Sequence, residues 1–104
     1  VLGLEELLTE ATLVITAEGQ IDRSTLYDKA PIGVARMAKK FGVPVIAMAA
    51  VLGEGHQLVY DHGIDAIVSI GDGPMDFQES IARTYSLLVR ATERSLRLIK
   101  LNLG

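Results

Sequence analysis

A three-layer α/β fold built on a parallel sheet is predicted by three features of the sequence. The phrases KKFGVPVIA (Lys39–Ala47) and YDHGIDAIV (Tyr60–Val68) repeat one order: the end of a helix, a terminating glycine, then a strand. Val43–Ala49 (VPVIAMA) is apolar throughout, as in strands covered on both faces, which belong mostly to parallel sheets. The connections are short, and right-handed crossovers between parallel strands place helices on both sides of the sheet.

The elements follow in order. Leu4–Thr9 reads as a short helix, and Thr12–Thr16 (TLVIT) as a β-branched strand. Pro31 suits the first turn of the next helix, with Val34, Ala38 and Phe41 as its apolar stripe and Arg36, Lys39 and Lys40 pointing outward. Gly42 ends it, and Pro44 near the start of the second strand is tolerated there. His56–His62 reads as a helix stopped by Gly63, and Ile64–Ile70 as a third strand. Asp76, with Glu79 three residues on, begins one long final helix. Its expected face carries Phe77, Ile81, Tyr85, Leu88, Leu96 and Ile99. Its end, LRLIKLNLG, holds more apolar residues than one stripe needs and is expected to dock against something outside this chain.

Composition narrows the function. A chain of 104 residues, 49% hydrophobic and 22% charged, forms one domain with a modest core. No apolar run is long enough for a transmembrane helix. The net charge of -3, with dispersed basic residues and few aromatics, argues against nucleic-acid binding. The lack of cysteine excludes disulfides, thiolate metal sites and thiol nucleophiles, and the first residues carry no basic signal-peptide region, so a cytoplasmic setting is expected. A mean hydropathy of +0.32 is high for so short a chain and points to apolar surface that needs a partner.

Ligands of parallel α/β sheets bind beyond the carboxyl ends of the strands, where AEGQID, AVLGEG and GDGP gather. Neither GxxxxGK[ST] nor GxGxxG is present, although Gly53 and Gly55, or Gly71 and Gly73, can bare backbone N–H groups toward an anion. Asp72 reads as a turn residue. Glu18 and Asp22, four apart across Gly19, can reach one cleft and suit Mg²⁺ or hydroxyl coordination, or general-base work. Ser24 and Thr25 can cap the next turn, with Asp28 at its third helical position, and Lys29 follows as a compact cation. The alternative is a solvated loop with Gly19 in a left-handed turn and Thr25 as an N-cap. His56 and His62 lack metal-ligand spacing and read as structural.

In sequence, TAEGQIDRSTLYDKAPIGVA followed by VPVIAMAAVLGEG, GIDAIVSI and a P-M-x-x-x-E-S helix resembles the C-terminal part of the bacterial type I glycerate kinases, the glycerate 2-kinases. The family loop reads T-G-E-G-x-x-D, Q-T, G-K, P-x-G-V-A. Glu18, Gly19, Asp22, Thr25, Lys29, Pro31, Gly33, Val34 and Ala35 match it. The resemblance implies a Rossmann-like domain and transfer of the ATP γ-phosphate to D-glycerate with Mg²⁺. It implies catalytic roles for Glu18, Asp22 and Lys29, a metal contact by Asp22, and substrate contacts by Gly19, Thr25 and Gly53.

Members of that family are several-fold longer. The chain is therefore expected to be a C-terminal fragment forming a single α/β unit over residues 1–104, carrying one wall of a cleft and inactive alone, and either self-associating or docking to a missing domain. The sequence departs from the family phrase at Ala17, Gln20, Ser24, Asp28, Ala50 and Val51. Of these, Ala17, Asp28, Ala50 and Val51 favour the alternative of a non-catalytic ligand-binding or assembly domain retaining the kinase fold.

Overall fold

A computed structural model describes residues 12–71 and 73–101. The helix expected over Leu4–Thr9 lies outside them, as does Asp72. The elements are β1 (Val14–Ile21), a 3-10 helix (Arg23–Tyr27), α1 (Lys29–Lys40), β2 (Val45–Leu52), a second 3-10 helix (His56–His62), β3 (Ala66–Ser69), α2 (Phe77–Ala82) and α3 (Thr84–Ile99). The three strands form one parallel sheet, as the sequence predicts, and the structure sets their order as β1-β2-β3.

β2 is the centre of the molecule, and its alternation divides the core in two. Val45, Ala47 and Ala49 face α1, packing with Ala35, Ala38, Val59 and Ile64. Ile46 and Met48 face α3, packing with Leu87 and Ala91. Each residue of this strand through Ala49 is buried, which accounts for the unbroken apolar run.

β2 starts two residues later than expected, because Val43 closes the helix before it. Gly42 adopts φ 68°, its N–H reaches Lys39 O, and Val43 N–H reaches Ala38 O at 2.9 Å. β1 differs more. It continues through Ala17–Ile21, read from the sequence as loop, because Gln20 and Ile21 keep the parallel register with Val51 and Leu52. The His56–His62 segment is a helix as expected, wound as 3-10, and Gly63 at φ 100° terminates it.

The helix stripes also differ from expectation. α1 buries Pro31, Ile32, Ala35 and Ala38, while Val34 is half-buried and Phe41 is exposed at the C-cap. The single long terminal helix is two, broken at Arg83; Ile81 and Leu88 still line one cavity, while Tyr85, expected between them, faces solvent. α3 instead buries Leu87, Ala91 and Ser95, spaced by four, while Tyr85 and Ile99 face solvent. Small Ala91 and Ser95 let the helix approach the sheet closely, and the buried Ser95 hydroxyl donates to Ala91 O at 2.8 Å. Leu96, Leu98, Ile99 and Leu101 remain exposed, the apolar excess anticipated from the terminal phrase. Among the described residues no helix is long and apolar enough to cross a membrane.

Candidate functional site

The carboxyl ends of β1 and β2 and the turns that follow them bring most of the sequence-predicted residues to one edge. Glu18 lies on β1 opposite Ala49, not in a loop, and is only partly exposed. It lines a cavity of about 530 Å³ together with Ala17, Gly19, Gln20, Met48, Ala50 and others. Burial raises the proton affinity of its carboxyl, and the negative charge of Asp28 raises it further. Gly19 has nothing within 4 Å of the position a Cβ would take, so its backbone stands open to an incoming molecule.

Asp22 follows the strand and caps the first 3-10 helix. Its Oδ1 accepts from Ser24 N at 2.8 Å and from the Ser24 hydroxyl at 2.6 Å, while Gln20 Nε2 donates to Oδ2 at 2.7 Å. In return Thr25 Oγ1, on a nearly buried side chain, accepts from Asp22 N at 3.0 Å, completing a capping box. The Ser24 hydroxyl is the largest cause holding the Asp22 carboxyl below its ordinary range. Desolvation opposes it, and the Ser24 N–H, Gln20 and Thr25 add to it.

The cap therefore differs from the expected one. Asp22 takes the place predicted for Ser24 or Thr25, and Asp28 caps α1, its Oδ1 accepting from Ala30 N at 3.2 Å. The reason is that the segment makes two successive helices, each needing its own cap.

Gly53 reaches the same corner from β2, yet its N–H donates to Ile21 O at 2.8 Å. Its carbonyl faces His56, accepting from His56 N at 3.2 Å and lying 2.8 Å from Nδ1, which gives His56 a structural partner. Glycine is needed here for space: a Cβ would lie 2.9 Å from both Asp22 Cβ and Gln20 Nε2. Arg23 N–H donates to Glu54 O at 3.0 Å, tying the two turns together, and Asp22, Arg23, Ser24 and Glu54 line a second, polar depression.

Lys29 stands apart. As the first residue of α1 it is exposed and lines a third depression with Tyr27, Asp28 and Arg36. Glu18, Asp22 and Lys29 thus open onto three neighbouring depressions rather than one. Among the described residues no three His, Asp or Glu side chains converge as a metal site. Gln20, which in the sequence stands out only as a departure from the family phrase, lines the first depression and bonds to the Asp22 carboxylate of the second. Its signal was its place between two acids at the end of a strand.

The sequence profile of the glycerate kinase family matches residues 1–100. The glycerate kinase of Halalkalibacterium halodurans is 50% identical over 89 residues, covering 86% of this chain and 23% of that protein. The glycerate 2-kinase of Escherichia coli K12 is 42% identical over 91 residues, covering 88% of this chain and 24% of that protein. Among solved structures, a crystal structure assigned to glycerate kinase 2 of Salmonella typhimurium LT2 superposes with a TM-score of 0.50 at 35% identity, over 91% of this chain and 25% of that one. The chain spans about a quarter of the length of the relatives it matches. With the profile running through the strand, the capped turn and the helix that form this edge, the chain belongs to the glycerate kinase family.

Proposed function

We propose that this chain forms one wall of an active site that transfers the γ-phosphoryl group of ATP to a hydroxyl of D-glycerate, giving phosphoglycerate and ADP. The observation that carries the reading is the family match across residues 1–100, which includes the edge where Glu18, Asp22, Thr25 and Lys29 stand. Phosphoryl transfer asks a protein mainly for positioning and charge neutralisation.

In this reading Glu18 is the general base. Its raised proton affinity suits it to take the hydroxyl proton as that oxygen bonds to the γ-phosphorus and the bond to the ADP oxygen breaks. Gly19 leaves room for the acceptor, and Thr25 holds the turn through Asp22 N–H. Asp22 and Gly53 contact the acceptor side, and Lys29 contributes positive charge toward the phosphates or the glycerate carboxylate.

The described residues do not fit a complete Mg²⁺ site. Three potential ligands among His, Asp and Glu do not converge. The apolar surface left on α3 suits docking to the further length that the relatives possess, and a cytoplasmic setting fits the metabolic substrates.

A graft tests the proposal. The matched 89 residues of the Halalkalibacterium halodurans relative are replaced by the corresponding part of this chain, and D-glycerate-dependent ADP release is measured. The expected result is a kinase whose Glu18→Gln variant loses about 10²–10⁴ in kcat. A folded but inert graft, or a Glu18→Gln variant of full activity, overturns the reading.

A further inference from the structure

We infer that Gln20 is the positioning residue for the acceptor side of this site, acting through Asp22 and given room by Gly53. The inference rests on the kinase reading for its catalytic consequence and on geometry alone for its structural part. The capping box grips Asp22 through Oδ1, where both Ser24 donors arrive, and a carboxylate gripped at one oxygen can still swing about that contact. The bond from Gln20 Nε2 to Oδ2 fixes its plane.

Two further observations show that the pair is built in. Gln20 Nε2 and Asp22 Cβ both stand 2.9 Å from where a Gly53 Cβ would be, so the turn after β2 is shaped to receive them. Gln20 also lines the cavity that holds Glu18, while Asp22 lines the polar depression beside it. One amide thus stands in the cavity of Glu18 and holds the carboxylate beside it.

The chemistry sets a preference for what binds. With one amide N–H engaged by Asp22, Gln20 has a second N–H and its carbonyl oxygen left for a ligand, a donor and an acceptor as a hydroxyl group needs. The negative charge of the Asp22 carboxylate beside it makes this corner a receptor for hydroxyl groups rather than for anions. The glycerate hydroxyls belong here, and the phosphates and the carboxylate belong toward the cations.

The test has two arms. In the purified chain, carboxyl ¹³C titration by NMR follows Asp22 in Gln20→Ala, in the near-isosteric Gln20→Glu and in Gly53→Ala. All three are expected to move the Asp22 midpoint upward, while the Ser24 N–H resonance keeps its capped position in Gln20→Ala. An unmoved midpoint in Gln20→Ala overturns the inference. In the grafted kinase, Gln20→Ala is expected to raise KM for D-glycerate about tenfold, the ordinary worth of one hydrogen bond to a charged group, and to leave KM for ATP within about twofold. Equal effects on both substrates overturn the catalytic part. A graft inert before any change to Gln20 counts against the kinase reading, while the titration still decides the positioning of Asp22.

Discussion

Asp65 offers a graded stability series worked from its contacts. Its Oδ2 accepts from Val45 N at 2.7 Å and also pairs with Lys39 Nζ, tying the start of β2 to the end of α1 and the approach to β3. Val45 is fully buried, so Asp65→Ala strands its N–H without a partner, a loss of about 1–3 kcal/mol. The ion pair adds little, because its side chains are 40% and 45% exposed and water screens them, so Lys39→Ala is expected to cost less than about 1 kcal/mol. Asp65→Asn keeps an acceptor for Val45 and loses only the charge, for about 0.5–1 kcal/mol. The expected order of loss in urea unfolding at neutral pH is Asp65→Ala, then Asp65→Asn and Lys39→Ala.

The pH dependence follows from the same contacts. The Lys39 hydrogen bond, then the Val45 N–H, depress the folded pKa of Asp65. An acid depressed on folding binds its proton less tightly in the folded chain, so its contribution is complete above its unfolded pKa of about 3.9 and is lost as pH falls through the folded value. The gap between Asp65→Asn and the parent chain should therefore close in acid. Equal losses for Lys39→Ala and Asp65→Ala, or a gap independent of pH, would refute the assignment of the stability to the Val45 contact.

Met48→Ala is expected to cost about 2–5 kcal/mol, since its side chain is fully buried between β2 and α3; a fall in thermal midpoint equivalent to under 1 kcal/mol would mean that the sheet and helix collapse onto the cavity. Glu18→Gln should stabilise the chain at neutral pH while removing the base. The folded pKa of Glu18 is raised, so its penalty is fully present above that value and disappears below the unfolded pKa; urea midpoints at several pH values should show the gain only on the alkaline side.

The sequence was most legible where a single residue type has a single physical use. Gly42 and Gly63 both end helices at positive φ, and the run through β2 announced a strand buried on two sides. Legibility failed where a partner decides the outcome. Glu18, Gly19 and Gln20 have the composition of a loop, and only the register against β2 extends the strand through them. Ala91 and Ser95 form the buried stripe of α3 because the helix lies close to the sheet, whereas hydrophobicity alone favoured its leucines. At the site, the residue types were readable but not their division among three depressions. Spacing cannot tell a carboxylate that caps a turn, as Asp22 does, from one that faces a cleft, as Glu18 does.

The alternation of β2 also bears on how such a chain can change over time. Its odd positions answer to α1 and its even positions to α3, with the strand backbone as a wall between them. A volume lost at Met48 can be refilled only from the α3 side, and one lost at Ala47 only from the α1 side. The two packing neighbourhoods can therefore accumulate substitutions as separate histories, and the edge bearing Glu18 and Asp22 can keep its geometry while either drifts.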